Sequence, residues 1–539
     1  NSLGQEGYDG TNNASYIRAE TNDGVHRVHL FSQNGVSLDS TAIQTISIHA
    51  KPLGYTFLKI GTENDAQEAY FDLANGTVGT IGSDVIEAKI TPAGNGYFRC
   101  SMTVNTDQAI NQIHFNIALE DNNDSFIGDP NRGGTNNGGI FIQDAQWELG
   151  LVPTEIISSN GSAGTAGIKE DEPRFDYPLA GGVPSLLLEP ERENKITVSE
   201  YYGGWQFSGN TGSVFSFIQN HDISPDGTKN ASKYSATVNY RSLRNNVTLS
   251  TSTSYVFSFY VKNIDATRLR YRVHNVDGSD GSGTGTDVIS STSYYSSVST
   301  DQWTRIEVPF TTDANGTSYA VYVADGLTVT SSGDSGGNVL FWGGQVEEGP
   351  YATSYIPTHG TAATRSGEGE AVDTLKATLP TALNGASAYT LFMDLTVTDL
   401  EEETDFRDVV VFKDSSSASD KYAFKLETFT DSGTSSLRGF VYKTADSNAV
   451  ASNAHDIIAI GSRCKLAVVV NSASGVKYFY NGSSTPIMNY SEATTYESVD
   501  SIQGAEHNIP GTRSRTRIHA IHGYPSALSD AQCISLTTL

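Results

Sequence analysis

Cysteine, methionine, positive charge and long apolar runs are all scarce in this 539-residue sequence. The three cysteines, Cys100, Cys464 and Cys533, are odd in number and widely spaced, which predicts neither a disulfide framework nor a Cys-x-x-Cys metal site. Cys100 and Cys464 lie in strand-like alternating segments, so we expect buried free thiols there. The stability of the protein therefore has to come from its hydrophobic cores.

The charge balance and the lack of long apolar segments limit the possible partners. There are 34 Lys and Arg against 61 Asp and Glu, which gives a formal net charge of −27. We expect no nucleic acid partner, because a phosphate backbone requires a basic surface. No run of ~18 apolar residues occurs, so no membrane span is expected. The acidity suits an extracellular protein or scattered divalent-cation sites.

Common catalytic signatures are missing too. The sequence contains no HExxH, no GxSxG and no phosphate-binding P-loop. The adjacent Glu347 and Glu348 could suggest a glycosidase pair, but neighbours on a strand point to opposite faces. His519 and His522 have no clear third ligand, so no metal site is expected there. We therefore expect a protein without enzyme activity.

Residues that favour strands and turns dominate the composition. The sequence has 52 Gly and 27 Tyr, and few segments show the apolar period of a helix, so an all-β fold is expected. Near the C-terminal end, LAVVVNSASGVKYFYNGS indicates two strands around a Ser-Gly turn, followed by an Asn-Gly turn. SDAQCISL indicates a short helix with Ser529 as its N-cap.

Two parts of the chain repeat the same landmarks in the same order. DGTNNAS at 9–15 and DGTKNAS at 226–232 match at six of seven positions. Later, Gln146, Glu148, Gly150 and Thr154 correspond to Gln345, Glu347, Gly349 and Thr353. This order predicts one β-module used twice, with the later landmarks at its closing strand and exit. Only eight residues precede DGTNNAS, so the first strand of the first module is expected to be missing from this sequence or to be supplied by something upstream. The opening NSLGQEGYDG carries no signal peptide and indicates a fragment or a processed product.

These features divide the chain into three tandem β-sandwiches and two linkers. The predicted boundaries are 1–157 for the first module, 158–195 for a linker, 196–358 for the second module, 359–371 for a second linker and 372–539 for a third domain. The first linker combines SSNGSAGTAG with the proline-containing EPRFDYPLAGGVPSLLLEPEREN. We expect its second half to be extended and docked on a neighbouring module.

Several motifs resemble those of known families. DGTxNAS, NGYFRC and WGGQVEEGPYATSYIPTHGTAATR resemble the carbohydrate-binding-module-like jelly rolls of bacteriophage structural proteins, and PRFDYPLAGGVPSLLLEPEREN resembles the segment beside such modules. LAVVVNSASGVKYFYNG and ALSDAQCISL are similar to the concanavalin A-like, laminin-G-type sandwich. The first module has LGLVP where the second has EGPYA, which argues against a ligand role shared by both exits.

The resemblance implies a non-catalytic component of the virion surface, such as a tail or head fibre. Such proteins bind host-surface polysaccharide, contact other virion proteins and are often homotrimers. Two alternatives stay open: a purely structural capsid or tail subunit, and the accessory binding region of a secreted polysaccharide-degrading enzyme. An exposed aromatic cluster on one module would favour adhesion, and apolar faces matching a symmetry mate would favour the structural subunit.

Aromatic residues near the start of the second module are candidate sugar ligands. Sugars stack their C–H faces on aromatic rings, while amides and charged groups bind their hydroxyls. The candidates are Tyr201, Tyr202, Trp205, Tyr240 and Arg241. Trp205 follows two glycines in a loop-like setting, where exposure and packing are about equally expected. Tyr271 and Arg272 lie in the middle of the module, whereas Trp303 and Trp342 lie in strand-like segments and are expected to pack.

Loops rich in Asp, Asn and Gly are candidate calcium sites. DNNDSFIGDPN at 121–131 and DGSDGSGTGTD at 277–287 offer the oxygen ligands that Ca²⁺ prefers, although neither has EF-hand spacing. Ordinary turns use the same residues and are the favoured interpretation, while the resemblance to families that often carry structural calcium raises the expectation of a site. The candidate ligands are Asp9, Asp226, Asp121 and Asp124. Asp9 and Asp226 either bind the ion or form an Asx-turn.

Overall fold

Strands dominate the structure of this protein, and the predicted all-β fold class is confirmed. The computed structural model describes residues 2–19, 24–31, 42–106, 110, 112–126, 138–159, 163–164, 174–177, 183–209, 214–238, 241–266, 269–278, 285–290, 297–326, 337–365, 375–398, 407–414, 421–431, 434–444, 461–504 and 515–539. Within these ranges, no helix is both long and apolar enough to cross a membrane. All three cysteines are buried and free, which confirms the expectation for Cys100 and Cys464.

The first module is a sandwich of two antiparallel sheets. Its strands are β1 (Ser2–Gln5), β2 (Ala14–Arg18), β3 (Arg27–Phe31), β4 (Ile43–Leu53), β5 (Phe57–Thr62), β6 (Glu68–Asp72), β7 (Thr77–Ile81), β8 (Val85–Pro92), β9 (Phe98–Asn105), β10 (Gln112–Ala118) and β11 (Gly139–Leu149). The sheet orders are β1-β2-β11-β4-β9-β8 and β3-β10-β5-β6-β7. Alternate residues, such as Ile46 of one sheet and Phe115 of the other, meet in a common core.

The second module repeats this architecture after three short strands. The short strands are β12 (Phe175–Asp176), β13 (Ser185–Leu188) and β14 (Arg192–Asn194). The module contains β15 (Gln206–Gly209), β16 (Val214–Asp222), β17 (Ala231–Val238), β18 (Arg241–Thr248), β19 (Ser254–Asn263), β20 (Leu269–Asn275), β21 (Thr286–Ser290), β22 (Thr304–Thr311), β23 (Ser318–Gly326) and β24 (Gly337–Glu348). Its sheets have the orders β16-β17-β24-β19-β22 and β15-β18-β23-β20-β21.

The third domain is a further antiparallel sandwich. The remaining elements are β25 (Ala363–Arg365), β26 (Leu375–Thr378), β27 (Ala388–Thr398), β28 (Arg407–Asp414), β29 (Lys421–Asp431), β30 (Thr434–Val441), β31 (Arg463–Asn471), β32 (Gly475–Tyr480), β33 (Met488–Tyr490), β34 (Ser501–Gly504), β35 (Arg515–Tyr524) and α1 (Asp530–Thr537). The sheets are β12-β13-β35-β27-β31-β32-β33 and β26-β34-β28-β29-β30. The hairpin between β31 and β32 is confirmed, and Asn481 and Gly482 after it have positive φ. The Ser529 N-cap of α1 is also confirmed, as part of a capping box with Gln532.

Residues before the second module take part in two different sheets. β13 pairs with β35, and Leu188 lies in the core of the third domain. β14 pairs with β25, and the Asn194 side chain donates to the Gly344 carbonyl at 3.1 Å and accepts from the Val346 amide at 3.1 Å. The segment therefore adds β13 to a sheet of the third domain. The following strand, β14, lies against β24, the closing strand of the second module.

The two modules place equivalent strands in the same order. In one sheet, β1, β2, β11, β4 and β9 correspond to β16, β17, β24, β19 and β22; in the other, β3, β10, β5 and β6 correspond to β18, β23, β20 and β21. The DGTxNAS turns lie immediately before β2 and β17. Among the described residues, β1 takes the place of β16, and no strand of the first module corresponds to β15.

The exit of the second module is held by a set of hydrogen bonds that we call the exit clamp. Glu347 accepts from the Thr353 amide at 2.8 Å, from the Thr353 hydroxyl at 2.5 Å and from the Gln345 amide group at 2.6 Å. The Gln345 carbonyl oxygen accepts from the Ile356 amide at 2.7 Å. Glu347, Thr353 and Gln345 are all fully buried, so these bonds replace the water that a carboxylate would otherwise bind.

The first module contains the same clamp in a more open setting. Glu148 accepts from the Thr154 amide at 3.0 Å, from its hydroxyl at 2.5 Å and from Gln146 at 2.6 Å, while Gln146 accepts from the Ile157 amide at 2.8 Å. Here Glu148 is half-buried and Thr154 is exposed. The repeated landmarks of the sequence therefore have a structural purpose, since they fix the chain as it leaves each closing strand.

Candidate functional site: a polar sheet face on the second module

The aromatic patch predicted at the start of the second module is not exposed. Tyr202 is fully buried, Trp205 is 3% exposed, and both belong to the core of the module. The indole N–H of Trp205 donates to the Val198 carbonyl at 3.0 Å. These two rings have no free face for a sugar, so the prediction that they form a binding surface is wrong.

The reason lies in the two glycines before Trp205. They form a single 3-10 turn, Tyr202–Gly204, and the ring of Tyr201 covers it so closely that an added Cβ on either glycine would come within 2.9 Å of that ring. The Trp205 ring in turn lies on Gly344, where an added Cβ would be 2.7 Å away. Glycine here allows close packing rather than an open loop.

The remaining predicted sugar ligands differ in their placement. Tyr201 is half-buried, and burial raises the pKa of its phenol. Tyr240 lies outside the described residues. Arg241 is the first residue of β18, where its backbone pairs with Gly209. None of the five therefore presents a described, fully exposed ring or charge.

The candidate calcium ligands Asp9 and Asp226 form equivalent turns. Asp9 accepts from the Thr11 amide at 3.0 Å and from the Thr11 hydroxyl at 2.8 Å; Asp226 accepts from the same two groups of Thr228 at 2.7 Å and 2.8 Å. The bonds from Thr11 hold the pKa of the Asp9 carboxyl below its usual value. Both aspartates therefore form an Asx-turn, and ion binding by them stays a prediction.

Asp121 and Asp124 also have protein partners. Asp121 accepts from the Thr80 amide at 2.7 Å and from its hydroxyl at 3.0 Å, whereas Asp124 lies 3.3 Å from the Lys59 ammonium and accepts from Asn116 at 2.5 Å. In the described part of the chain, no three or more His, Cys, Asp or Glu side chains form a group that could hold a metal. Calcium binding by the four aspartates therefore stays a prediction.

The second module carries a cluster of polar side chains on the outer side of the sheet β15-β18-β23-β20-β21, which we call the arginine face. Its members are Gln206, Arg244, Asn246, Arg270, Arg272, His274, Asp287, Tyr322 and Asp325. The alternation of strand residues places them there, because Val273 of β20 and Val321 and Val323 of β23 point into the core. Their neighbours Arg272 and Tyr322 therefore point outward.

Tyr322 lies at the centre of the arginine face, beneath two guanidinium groups. It is directly opposite Arg244 on one neighbouring strand and Arg272 on the other. The guanidinium of Arg272 lies 4.1 Å from the centre of the ring, and that of Arg244 lies 5.8 Å away. Arg244 also donates to the Tyr322 hydroxyl at 3.0 Å and to the Gln206 side chain at 3.3 Å. Cation–π contact and hydrogen bonds together fix both guanidiniums in place.

The charges on this face are not fully balanced. Asp325 lies 2.9 Å from Arg270 and 3.4 Å from Arg272, and Asp287 lies 3.3 Å from Arg272. Arg244 has no acidic partner among the described residues. Three arginines against two aspartates leave this part of an acidic protein locally positive.

The composition of the face suits the recognition of polar ligands. Gln206 and Asn246 are exposed and Arg244 is half-exposed, so two amides and one guanidinium can donate to and accept from a ligand. Rigid strands hold all three, which lowers the entropy lost on binding. The face could therefore bind hydroxyl groups and, through Arg244, an anionic group.

The acidic pair considered for glycoside hydrolysis is arranged differently. Glu347 is fully buried in the exit clamp, whereas its neighbour Glu348 is exposed. Two carboxylates on opposite sides of a strand cannot flank one glycosidic bond. The expected divergence of these two side chains is therefore confirmed.

Part of the arginine face was visible in the sequence. The segment LRYRVHN places Arg270, Arg272 and His274 at alternate positions, which indicates one polar side of a strand. Sequence reasoning singled out Arg272 but missed Arg244 and Tyr322. Alternation shows that such residues share a face, but it does not show which strands are neighbours in the sheet.

The sequence matches no protein-family model and no curated protein. Among solved structures, the chain is similar to the binding domain of Botulinum neurotoxin serotype G, with 11% identity, 33% of this chain and 42% of that chain covered, and a TM-score of 0.22. It is also similar to a Trypanosoma rangeli sialidase in complex with the inhibitor DANA, with 12% identity, 28% and 22% of the two chains covered, and a TM-score of 0.21. For an alginate lyase from Pseudomonas aeruginosa, the identity is 10%, the coverage 27% and 66%, and the TM-score 0.21. The chain thus spans about two fifths of the neurotoxin structure, and at such low TM-scores none of these likenesses bears on fold or function.

Proposed function

We propose that the chain is a non-catalytic adhesion protein of a virion surface, of the tail-fibre or head-fibre kind, whose second module binds host-surface glycans through the arginine face. The observation that carries this proposal is the half-exposed guanidinium of Arg244. Tyr322 and Gln206 hold it in place, and it has no acidic partner in the described part of the chain. A positioned but unneutralised arginine is a group available to a ligand.

Sugars are the ligand class that suits the rest of the face. A glycan offers many hydroxyls, which both donate and accept hydrogen bonds, and the exposed amides of Gln206 and Asn246 can do the same. Residues Gln206, Asn246 and Arg244 lie on the neighbouring strands β15 and β18. A sugar bound across these strands would contact all three side chains.

The virion role rests on the resemblance of the sequence motifs to phage structural proteins. Under this proposal, the protein lies at the virion surface or outside the cell, in contact with other virion proteins and with host polysaccharide. A homo-oligomer, a trimer by resemblance, belongs to the same proposal. Tandem sandwiches suit such a role, because each one supplies a rigid surface on which side chains can vary.

The first test is binding of the intact protein to a glycan array and to host cells. Arg244→Ala is compared with wild type and with Lys229→Ala, which removes one positive charge from an exposed turn of the same module. We expect Arg244→Ala to weaken binding about tenfold, a loss of about 1.4 kcal/mol, because it removes a charge-assisted hydrogen bond. Lys229→Ala should bind like wild type.

Two results would contradict the proposal. One is the absence of binding to any glycan or host surface by the folded protein. The other is equal binding by wild type and Arg244→Ala, which would place the glycan on another surface. Circular dichroism and the unfolding temperature of each variant show whether a loss of binding is a loss of folding.

A further inference from the structure

The first module carries an arrangement of charges equivalent to the arginine face. In the second module, Tyr322 of β23 is opposite Arg244 of β18 and Arg272 of β20. In the first module, the corresponding strands are β10, β3 and β5, and Asn116 of β10 is opposite both Arg27 of β3 and Lys59 of β5. Each module therefore places a cation on either side of a central polar residue, on the same sheet and in the same strand order.

The carboxylates around these cations also correspond. Lys59 lies 2.5 Å from Glu68, on the next strand β6, and 3.3 Å from Asp124, which follows β10. Arg272 lies 3.3 Å from Asp287, on the equivalent strand β21, and 3.4 Å from Asp325, at the end of the equivalent strand β23. In both modules, then, the cation on β5 or β20 has two acidic partners, one from the equivalent next strand and one from β10 or β23 or the residues that follow it.

The arginine on the other side of the central residue differs from the paired cation in both modules. Arg27 and Arg244 have no acidic partner in the described ranges, and Arg27 is exposed. Burial lowers the pKa of the nearby His114 to about 4, with Lys59 and Arg27 adding to the effect. Lys59 itself is paired with Glu68 and Asp124. A protein of net charge −27 thus carries, at the same position of each repeat, an arginine that no acidic side chain of the described ranges neutralises.

Polar groups without partners mark the same surface in the first module. His114 is 5% and Asn116 is 1% exposed, and the Nδ1 of His114 and the side-chain oxygen of Asn116 are buried atoms without a hydrogen-bond partner in the described part. Unsatisfied buried polar atoms cost stability. Because both atoms are buried, the group of this arrangement that a polymer can reach is the exposed Arg27.

From this repeated geometry, we infer that both modules bind the acidic groups of one ligand class, a polysaccharide with carboxylate or sulfate substituents, and that Arg27 and Arg244 are the equivalent contact residues. A guanidinium donates two parallel hydrogen bonds to such an anion, which neutral sugars cannot match. The inference rests on the proposed glycan binding, and adds to it the charge of the ligand and a second site.

The test measures binding of the intact protein to three immobilised polymers: polygalacturonate, which carries carboxylates, dextran sulfate, and neutral dextran. We expect both acidic polymers to bind at least about tenfold more tightly than dextran, and the preference to shrink between about 0.05 and about 0.5 M NaCl as the charges are screened. Comparison of the first two polymers shows whether carboxylate or sulfate is recognised.

Variants then test the two sites separately. Arg27→Ala and Arg244→Ala should each weaken binding to the preferred acidic polymer by about three- to tenfold, and the double variant by more than either, because two sites on one chain raise the effective affinity for a polymer. The matched controls are Arg18→Ala, an exposed arginine on β2 of the opposite sheet, and Lys229→Ala. Both should bind like wild type.

The possible failures are distinguishable. Equal binding of neutral and acidic polymers overturns the acidic ligand class but leaves glycan binding intact if Arg244→Ala still weakens it. An Arg27→Ala variant that behaves like Arg18→Ala overturns the site on the first module. Absence of binding to every polymer, together with a negative glycan array, contradicts the proposed function itself.

Discussion

At the scale of single residues, Glu200 is an acid buried beside the DGTKNAS turn of the second module. Its carboxylate accepts from the Tyr355 hydroxyl at 3.2 Å and from Asn230 at 3.1 Å. Burial, together with the negative charge of Asp226, raises the pKa of Glu200 to about 7. The folded protein therefore holds this proton more tightly than the unfolded chain does, and stability falls as the pH rises from the ordinary glutamate value through about 7.

This pH dependence of stability predicts how Glu200→Gln changes the free energy of unfolding. The variant cannot ionise, so its free energy of unfolding should exceed that of wild type at pH 8 by on the order of 1–3 kcal/mol, but not at pH 4. Denaturant unfolding followed by tryptophan fluorescence suits the measurement, because three of the four tryptophans lie in the second module. Glu307→Gln, at an exposed position of β22, is the control and should show no difference that depends on pH. A variant destabilised equally at both pH values would contradict this account of Glu200.

Single residues were also where sequence reasoning was least reliable. Trp342 packs in the core as expected, but Trp205 does too, because the glycines before it let its ring approach Gly344 closely. A pair of glycines has the same appearance in a sequence whether it opens a loop or permits close packing. Only the partner surface distinguishes the two, and Gly344 is more than a hundred residues away in the chain.

At the scale of structural elements, the two exit clamps allow a matched comparison. Thr353→Val leaves the buried Glu347 without its hydroxyl donor and should destabilise the second module by about 1–3 kcal/mol. Thr154→Val removes the same bond in the first module, where Thr154 is exposed and water can replace the hydroxyl, so a loss of at most about 1 kcal/mol is expected. Calorimetric unfolding of both variants is the measurement. Equal losses would show that burial does not set the strength of the clamp.

Elements with strong local signals were predicted correctly. The β31–β32 hairpin and the Ser529 N-cap depend on neighbours in sequence, namely a turn residue or a capping side chain. The arginine face depends on which strands are adjacent in a sheet, since Arg244 and Arg272 both lie against Tyr322 from strands on opposite sides of it. That adjacency follows from the topology of the whole module, which a local pattern does not contain.

At the scale of the whole molecule, a segment that precedes the second module belongs to the core of the third domain. Leu188 of β13 is 4% exposed in that core. Leu188→Ala should therefore destabilise the third domain by about 2–4 kcal/mol while leaving the second module nearly unchanged. Val183→Ala, at a position 81% exposed in the same segment, should have no effect.

The composition of the chain makes this prediction measurable. The third domain, 372–539, contains no tryptophan, so its unfolding gives a calorimetric transition without a matching change in tryptophan fluorescence. Leu188→Ala should lower the temperature of that transition alone. A shift of the fluorescence-detected transition instead would mean that β13 stabilises the second module and not the third domain.

The repeat was the most informative feature of the sequence at this scale. Its motifs recur in the same order, and this predicted one module used twice without knowledge of the strands. Its functional meaning came only with the structure, where β3, β10 and β5 correspond to β18, β23 and β20. The charges of the two faces match although their residues differ: Arg27 and Lys59 in one, Arg244 and Arg272 in the other. Arg27 and Arg244 both lie 18 residues after the aspartate of their DGTxNAS motif, whereas Lys59 and Arg272 lie 50 and 46 residues after it, so an ungapped alignment on that motif pairs only the two arginines.

The central claim is that the sheet faces around Arg27 and Arg244 bind acidic glycan, and hydrogen exchange of the intact protein tests it most directly. Backbone amide exchange is compared by mass spectrometry with and without saturating polygalacturonate. The account predicts slower exchange in peptides from β18, β20 and β23 and in those from β3, β5 and β10, with the third domain unchanged. Protection confined to the third domain, or no protection in the six strands while the polymer is bound, would contradict it.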